Sequence, residues 1–337
     1  GKRESRRYVA HHMLTHLDIE AGGLFEDVVA YGGWAMDDHN PAGFHSARIG
    51  APATVFYPTP SPYGIPLRSL YSRNIPNLMF AGRDAGCTHA AMSSTRVMGT
   101  GCSMGQAVGT AAALAVSDRR DPADMANRID ELQQILLQDD AYLPGVMQRF
   151  KPEVYSADLT ASAGDPSPLR DGVNRPTGTE LTAAPGGRRL PTGTEPTNTA
   201  AEESAAGTEL APGTSDGDVG LDLHAWICRP GDWVTYTFDS PLQVSKVTVV
   251  AASGLDLTVA MSFHQPDDQL TAPPDRMPKS FGIDGLSDSG WQPLIRVNDN
   301  HQRLRRFDVD ATLQGLRFSL DETWGGTESR LYAFYFE

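Results

Sequence analysis

The residue types most able to bind a ligand lie in two glycine-rich segments of the first third of the sequence. In NLMFAGRD (77–84), the apolar run 78–81 predicts a buried strand, and Gly82 after it lets the backbone turn close to a ligand. In VMGTGCS (97–103), glycines precede an apolar helix, whose N-terminus offers unpaired N–H groups to an anion or a carbonyl oxygen. The alternative, which the spacing leaves equally open, is that these glycines only allow tight helix packing.

Two predicted helices follow the first of these segments. Residues 103–116 are nearly all Ala, Met, Gly and Val, and a helix that is apolar around its circumference is normally buried. Residues 121–138 repeat apolar side chains at helical spacing, with Asp121 as a candidate cap and Pro122 in the first turn. Together with the short apolar strands and turns around them, these helices indicate a mixed α/β domain over residues 1–150.

The rest of the chain has a different composition. Residues from about 175 to 218 are rich in Thr, Gly, Pro, Ala and Glu and repeat the pentapeptide PTGTE. This region predicts a disordered insertion, because it buries too little apolar surface to offset the entropy of ordering. From residue 221 onward the sequence alternates as strands do, in the runs 233–238, 244–251, 257–263, 315–320 and 331–336. These runs predict an all-β jelly-roll sandwich over residues 151–337, with Val234, Tyr236 and Phe238 in its core.

Composition argues against several classes of protein. The chain has 337 residues and a formal charge of −14, so non-specific binding to nucleic acid is not expected. Its longest apolar run, 111–116, is far too short for a membrane span. The three cysteines form no CxxC pair, and Cys87 and Cys102 are expected to be small buried residues. His12 and His16 would share a helix face, but no third ligand accompanies them, so no metal site is predicted.

Separated motifs in the first 110 residues occur in a recognisable order. They are GKRESRR (1–7), WAMDDH (34–39), IPLRSL (65–70), NLMFAGR (77–83), and TRVM (95–98) through GQAVG (105–109). Together they resemble the C-terminal half of a bacterial FAD-dependent oxidoreductase family with a two-dinucleotide-binding fold. The resemblance covers residues 1–150 and implies that a small-molecule substrate passes a hydride to FAD.

The same resemblance implies which residues contact FAD. They are Ala81, Gly82, Arg83 and Asp84 after the predicted strand, and Gly101, Cys102, Ser103 and Met104 as backbone donors at a helix start. The family also has an N-terminal strand–GxGxxG–helix unit, and this sequence contains no such fingerprint. The chain begins at Gly1 without methionine or signal peptide, which indicates an internal position in a longer polypeptide. We therefore expect that unit to lie upstream or to be missing, and this chain alone to bind FAD poorly or not at all.

Four polar side chains are candidates for substrate chemistry beside the flavin. His39 or His89 would be the base that removes a proton, and Arg96 or Arg68 would be the cationic anchor for a carbonyl or a carboxylate. A structural role for the two histidines stays equally open. For Arg68 the alternative is a structural ion pair with neighbouring acids, and for residues 3–7 that alternative is the favoured interpretation.

A second resemblance covers residues 151–337. The motifs YSADLTAS (155–162), LRDG (169–172), VNRP (173–176) and GDWVTY (231–236) are similar to those of discoidin-type, galactose-binding-like β-sandwiches. This resemblance implies glycan binding by loops at one end and a structural calcium near an Asp-Gly turn. Trp226, Trp291 and Trp324 lie beside turns and are candidates for stacking on a sugar ring, although aromatic residues of a sandwich are more often core. Alternatively, the domain only packs on the catalytic half.

These patterns lead to one expectation and two alternatives. We expect the C-terminal portion of an FAD-dependent oxidoreductase fused to a jelly-roll domain, which suggests a carbohydrate or polyol substrate by association only. The alternatives are a non-catalytic remnant that binds carbohydrate or a surface, and a partial sequence of a longer enzyme that is inactive alone. Acidic charge with a Thr/Pro-rich insertion is compatible with an exported protein.

Overall fold

The computed structural model describes residues 7–40, 42–60, 62–175, 223–254 and 272–337. The chain divides into two compact units, Gly1–Arg149 and Phe150–Glu337. Three predictions fall outside the described residues, namely the motif at residues 1–6 with Arg3 and Arg6, the insertion from residue 176 onward, and the strand 257–263. In the part of the chain that is described, no helix is long and apolar enough to cross a membrane.

The N-terminal unit combines short antiparallel strand pairs with helices. The strands are β1 (Val28–Gly32), β2 (Met36–His39), β3 (Thr54–Tyr57) and β4 (Tyr63–Pro66), and the helices are α1 (His16–Glu20), α2 (His89–Thr95), α3 (Met98–Asp118) and α4 (Ile129–Gln138). Short 3-10 helices occupy Gly43–Ile49, Leu67–Ser69 and Pro122–Arg128. Strand β1 pairs with β4 and β2 pairs with β3, so the predicted mixture of helices and short strands is confirmed.

Helix α3 differs from its prediction in extent and in burial. It begins at Met98 rather than at residue 103, because the Gly101 N–H already donates to the Val97 carbonyl at 3.0 Å. Its buried positions form one stripe, consisting of Thr100, Met104, Ala107, Ala111 and Ala115. Met98 and Val116 lie outside the stripe and are 88% and 77% exposed. The prediction of burial on all sides was wrong, because Ala and Gly carry little apolar surface and their exposure costs little free energy.

The second predicted helix is divided in two. Residues Pro122–Arg128 form a 3-10 helix, and α4 follows from Ile129. The predicted cap is confirmed, since Asp121 and Asp124 form a reciprocal capping box in which the Asp121 N–H donates to the Asp124 carboxylate at 3.3 Å. Helix α4 fully buries Leu132 and Leu136, as its helical spacing predicts.

The segment 78–81 is not a strand of a sheet. An isolated bridge joins Met79 to Tyr71, and residues 70–72 supply its hydrogen-bonded neighbour. Phe80 is buried, whereas the residues on either side of it are only half-buried. The prediction of a buried strand was wrong, because the described residues place a partner on one side of this extended segment only.

The two histidines considered as metal ligands do not share a helix. His16 is the first residue of α1, whereas His12 precedes the helix and its Nε2 lies 3.1 Å from an oxygen of Asp18. That oxygen also accepts the Thr15 N–H at 2.8 Å, which completes the cap of α1. Among the described residues, no three His, Cys, Asp or Glu side chains are grouped to hold a metal ion.

The C-terminal unit is an antiparallel β fold. Its described elements are α5 (Pro152–Ser156), β5 (Asp158–Ala161), β6 (Trp226–Cys228), β7 (Trp233–Ala251), β8 (Pro278–Ser287), β9 (Gly290–Val297), β10 (Leu304–Thr323) and β11 (Ser329–Phe336), with a 3-10 helix at Ser167–Arg170. The strands hydrogen bond in the order β6-β11-β7-β10-β8-β9, and β5 also pairs with β7. The predicted all-β sandwich is confirmed, but the runs 233–238 and 244–251 form a single strand, β7.

Two long strands run through both layers of this sandwich. The first part of β7 pairs with β5 and with residues 315–319 of β10. The second part of β7 pairs with β11 and with residues 304–308 of β10. These two sets of pairings are called the two zones of the sandwich. Register shifts in β10 after Asp308 and after Leu313 separate them, and a bulged strand bends at such points.

Aromatic side chains fill the space between the two zones. The Tyr236 ring lies 5.6 Å from that of Phe334 and 5.4 Å from that of Phe336, measured between centroids. The Tyr236 hydroxyl donates to the Phe334 carbonyl at 2.9 Å, and burial raises the pKa of Tyr236, so the phenol stays protonated. Val234, Tyr236 and Phe238 are buried, which confirms their prediction as core residues.

The strands β8 and β9 are absent from the alternating runs that the sequence predicts. Gly282 and Gly285 of β8 leave room for side chains of neighbouring strands. An added Cβ would lie 2.8 Å from the Arg296 guanidinium at the first position and 2.7 Å from Leu313 at the second. The glycines interrupt the apolar pattern of β8, and Pro293 interrupts that of β9, so neither strand is predicted from the sequence.

Candidate functional site

A pocket of about 210 Å³ lies at strand β2 of the N-terminal unit. Its lining residues are Trp34, Asp37, His39, Arg83, Arg96 and Val97. Strand β2 supplies Asp37 and His39, and the break between α2 and α3 supplies Arg96 and Val97. Arg83 follows Gly82 in the extended segment. Three of the motifs seen in the sequence therefore converge on one pocket.

Arg96 and Asp37 form the polar centre of this pocket. The Arg96 side chain is only 14% exposed, and its Nη2 donates to the Asp37 carbonyl at 2.6 Å and lies 3.4 Å from the carboxylate oxygen Oδ2. The other carboxylate oxygen, Oδ1, is buried and accepts no hydrogen bond from the described residues. A buried carboxylate oxygen without a donor is costly, so Asp37 is suited to accept a hydroxyl or amine from a ligand.

His39 lies beside this carboxylate. Its Nε2 is 3.6 Å from Asp37 Oδ1, which is longer than a hydrogen bond, and its Nδ1 is 3.0 Å from the Thr54 hydroxyl. Thr54 is the register partner of His39 in the β2–β3 pair, so the hairpin fixes the orientation of the imidazole. The ring can exchange a proton with a ligand bound in the pocket beside both His39 and Asp37.

The other candidate base, His89, does not line the pocket. It is the first residue of α2, and its Nε2 lies 2.9 Å from Asp38 Oδ1. His89 is 51% exposed, so solvent screens this pair. Of the two histidines considered, the structure brings only His39 to the pocket.

Arg68 also lies apart from the pocket lining. Its Nε is 3.4 Å from Asp27 Oδ1, and its guanidinium lies over the Phe25 ring at 5.4 Å from the centroid. Its backbone N–H donates to Asp27 as well, at 3.1 Å. Asp27, the aspartate before β1, holds Arg68 in this ion pair, and the role of Arg68 as an anchor beside the flavin stays a prediction.

The two segments predicted to bind FAD are adjacent in the fold. A Cβ added at Gly101 would lie 3.8 Å from the Gly82 Cα. Gly82 has φ +84, a conformation that favours glycine, and a Cβ there would meet no atom within 4 Å. Val97 precedes α3 and makes no side-chain capping hydrogen bond, so within the described residues the helix start has no side-chain cap for its first N–H groups.

The predicted donors of this helix need a correction. Gly101, Cys102, Ser103 and Met104 lie inside α3, where their N–H groups face the preceding turn. The helix start at Met98, Gly99 and Thr100 is not predicted from the sequence, because Val97 is not one of the residue types that commonly cap a helix.

The side chains of the predicted donors on α3 differ in burial and in their contacts. Met104 is 1% exposed and belongs to the core, and the Ser103 hydroxyl accepts the Tyr31 N–H at 3.4 Å. Cys102 is exposed, so its expected burial was wrong. Cys87 is buried as expected, and burial raises the pKa of its thiol to about 11, which keeps it protonated at neutral pH.

The remaining predicted FAD contacts are Ala81 and Asp84. Ala81 is half-buried and packs against the core of the unit, and the Asp84 carbonyl accepts the Tyr8 N–H at 3.1 Å. Neither residue lines the pocket, whereas Arg83 between them does.

A chain of hydroxyl groups supports the pocket wall. The Ser94 hydroxyl donates to the Trp34 carbonyl at 2.5 Å, and the Tyr63 hydroxyl lies 2.5 Å from Ser94. Since Ser94 uses its proton on Trp34, Tyr63 must donate to Ser94. Burial raises the pKa of Tyr63 to about 12, so this donor is retained at neutral pH. The chain fixes the backbone at Trp34, three residues before Asp37.

The three tryptophans considered for sugar binding have different surroundings. Trp226 is fully buried and donates from Nε1 to the Ala163 carbonyl at 2.8 Å, so its candidacy was wrong. Trp324 is half-buried in the connection after β10, and its Nε1 donates to the Asn300 carbonyl at 2.7 Å. Trp291 is half-buried on β9, where the Arg317 guanidinium lies 4.1 Å from its ring centroid.

The Asp-Gly turn at 171–172 carries no free carboxylate oxygen. Asp171 Oδ2 lies 2.6 Å from His224 Nδ1, and Oδ1 accepts the Val173 N–H at 2.7 Å. Burial raises the pKa of Asp171, although the His224 contact acts in the opposite direction. Both oxygens therefore take part in contacts within the fold, and the calcium site that the second resemblance implies stays a prediction.

Comparisons with known proteins cover both units. Residues 1–136 match the family described as FAD dependent oxidoreductase, which confirms the resemblance found in that part of the sequence. No curated protein matches the chain. Among solved structures, the chain is similar to a family 32 carbohydrate-binding module from Streptococcus pneumoniae EndoD, with 16% identity, a TM-score of 0.26, and coverage of 34% of this chain and 75% of that one.

Two further solved structures are similar at the same level. A domain named CpGH89CBM32-6 from Clostridium perfringens has 10% identity and a TM-score of 0.29, over 56% of this chain and 95% of that one. A chitosan-binding module of a chitosanase/glucanase from Paenibacillus sp. IK-5 has 14% identity and a TM-score of 0.25, over 35% of this chain and 80% of that one.

Proposed function

We propose that the N-terminal unit is part of an FAD-dependent oxidoreductase that oxidises a small molecule carrying a hydroxyl or an amine. The observation that carries the proposal is the buried Asp37 Oδ1, which has no donor among the described residues and lies beside His39 and Arg96. The family match over residues 1–136 supports the flavin.

The residues next to this pocket fit a flavin. Gly82 leaves space that a side chain would fill, and Met98 and Gly99 begin α3 without a capping side chain. Arg83 adds a cation at the same place. These groups would hold an anionic or carbonyl oxygen of the cofactor. When bound, FAD supplies the acceptor for a hydride.

The pocket residues have separate roles in this proposal. Asp37 Oδ1 accepts a hydrogen bond from a second donor of the substrate, a neighbouring hydroxyl or the other amine N–H, and so orients the reacting hydroxyl or amine toward His39. His39 takes the proton, and the Asp37 carboxylate lies opposite the positive charge that the ring then gains. Arg96 holds Asp37 in place through the 2.6 Å bond to its carbonyl and presents its remaining N–H groups to a carbonyl or carboxylate oxygen of the substrate.

The Asp37→Asn variant tests this assignment. We expect it to lower kcat/KM by about 100-fold or more, because the amide can neither accept in the same way nor balance the charge on His39. The measurement is the rate at which the protein-bound flavin loses its visible absorbance without oxygen, with a panel of polyols, hydroxy acids and amines. The protein is purified from the organism that makes it, so that any further part of the polypeptide is present.

Asp38→Asn is the matched control, because Asp38 is adjacent on β2 and pairs with the exposed His89 instead. We expect this variant to keep its rate within about twofold. A native protein without flavin, or equal losses in the two variants, contradicts the proposal.

A second candidate function is glycan binding by the C-terminal unit at Trp324. The indole is half-buried, the His301 ring lies 4.8 Å away, and the Lys279 amine lies 5.7 Å from the Trp324 ring. All three residues lie in connections or at a strand start, where a half-exposed ring surrounded by donors can stack on a sugar.

The Trp324→Ala variant is expected to bind glycans at least about tenfold more weakly on an array, since it removes the stacking surface. Trp324→Phe keeps a ring and should retain part of the binding. An empty array with the unaltered chain, or equal binding by the alanine variant, contradicts this function. Unfolding midpoints of the variants show whether the unit has stayed folded.

A further inference from the structure

Two tryptophans enclose an arginine on one face of the sheet that contains β7, β10, β8 and β9. The Arg317 guanidinium carbon lies 4.1 Å from the centroid of the Trp291 ring and 5.1 Å from that of the Trp233 ring. Leu316 and Phe318, the neighbours of Arg317 on β10, are buried in the core, so Arg317 points to the opposite face. We call Trp233, Arg317 and Trp291, all half-buried, the Trp–Arg–Trp platform.

Neighbouring residues hold this platform in one arrangement. Arg317 Nε donates to the Thr235 hydroxyl at 3.3 Å. Gly315 lies on the same face of β10 as Arg317, and a Cβ there would lie 3.5 Å from the Trp291 ring and 2.6 Å from the Tyr236 carbonyl oxygen. The glycine therefore leaves the space that the Trp291 indole occupies, and the guanidinium is oriented before any ligand arrives.

The terminal nitrogens of Arg317 have no acceptor among the described residues. Asp284 is its register partner on β8, but the Asp284 carboxylate accepts from Arg296 Nη2 at 2.5 Å. The described residues provide no ion pair for Arg317, and the Nε bond to Thr235 is its hydrogen bond within that part of the chain. An arginine that is half-buried and lacks a counter-ion is unusual in a chain of net charge −14.

This combination of groups selects a class of ligand. A guanidinium binds a carboxylate through paired N–H groups in one plane. Indole rings offer large apolar surfaces to the C–H faces of other molecules. A uronate sugar has both features, namely a carboxylate and a pyranose ring with an apolar face. A neutral sugar would offer the guanidinium only uncharged hydroxyl acceptors, and a small inorganic anion would leave the indoles uncovered.

We propose that the Trp–Arg–Trp platform binds a uronate-containing saccharide, with Arg317 on the carboxylate and the exposed parts of Trp233 and Trp291 against the sugar ring. This site uses the sheet face rather than the connections around Trp324. It rests neither on the oxidoreductase activity nor on the glycan site at Trp324.

Calorimetric titration of the full chain with oligomers of galacturonic acid tests the proposal. We expect Arg317→Ala to weaken binding at least about tenfold, because it removes a charge-assisted hydrogen bond. Arg296→Ala is the matched control, since Arg296 lies on the adjacent β9 and already pairs with Asp284. It should change the affinity by less than about twofold.

Two further variants make the result decisive. Arg317→Lys keeps the charge but loses the planar fork, so it should bind with intermediate affinity even if the alanine variant does not fold. Trp324→Ala tests whether the oligomers bind at Trp324 instead. No binding by the unaltered chain, equal binding of neutral dextran or of dextran sulfate, or equal weakening by Arg296→Ala overturns the proposal. Loss of binding in Trp324→Ala with retention in Arg317→Ala also overturns it.

Discussion

Gly23→Ala is expected to lower the unfolding free energy of the N-terminal unit by about 3 kcal/mol or more. Gly23 has φ +58, and a Cβ there would lie 2.1 Å from the carbonyl oxygen and 2.6 Å from the amide nitrogen of Gly64. Both atoms belong to the backbone, so no side-chain rotation relieves the clash. Gly64 is next to Tyr63, whose hydroxyl begins the chain that supports the pocket wall, so the damage should extend to the site.

Chemical unfolding followed by circular dichroism measures this effect, and Gly22→Ala is its matched control. Gly22 has φ +85, but the nearest atom to an added Cβ is Leu24 Cγ at 3.9 Å. That variant suffers backbone strain without a clash and should lose about 1–2 kcal/mol. Equal losses in the two variants would show that the backbones of Gly23 and Gly64 do not approach as described.

Trp226→Ala is expected to lower the unfolding free energy of the C-terminal unit by about 3–5 kcal/mol. The indole is fully buried, and its removal leaves a cavity. It also leaves the Ala163 carbonyl without the donor that lies 2.8 Å from it. Trp226→Phe refills most of the volume and should recover part of the loss, but not the hydrogen bond.

Ile227→Ala is the matched control for Trp226→Ala, because it truncates the adjacent side chain, which is exposed rather than buried. Ile227 is the next residue on β6 and points to the other face, where it is exposed, so its truncation should cost less than about 0.5 kcal/mol. Scanning calorimetry supplies the measurement. The transition that Gly23→Ala lowers should be unaffected by Trp226→Ala. Equal effects of Trp226→Ala and Ile227→Ala would contradict the core assignment of Trp226.

Part of the pocket could be predicted from residue type and order. The motifs containing His39, Arg83 and Arg96 were singled out in the sequence, and these residues converge on one pocket. Asp37 lies in one of the same motifs, yet nothing distinguishes it from Asp38 before the fold is known. Its importance comes from Arg96, which reaches it from the end of α2, and from the absence of a described donor for Oδ1.

Features that depend on neighbours along the chain could be predicted from the amino-acid sequence. The cap at Asp121, the helical spacing of α4 and the alternation of Val234, Tyr236 and Phe238 are local patterns, and each produces the predicted element wherever the segment lies. Separated motifs also sufficed for the family resemblance of the first unit.

Features that depend on residues distant in the sequence required the folded structure. Asp27 forms an ion pair with Arg68, and Trp226 belongs to the core because β11 pairs with its strand and Ala163 accepts its hydrogen bond. Strands β8 and β9 pair despite the glycines of β8, since those positions receive side chains from neighbouring strands. Burial and hydrogen bonding join groups that are far apart in the chain. The positions of these residues are therefore stabilised by contacts with partners that are distant in the sequence, and a local sequence pattern does not reveal those partners.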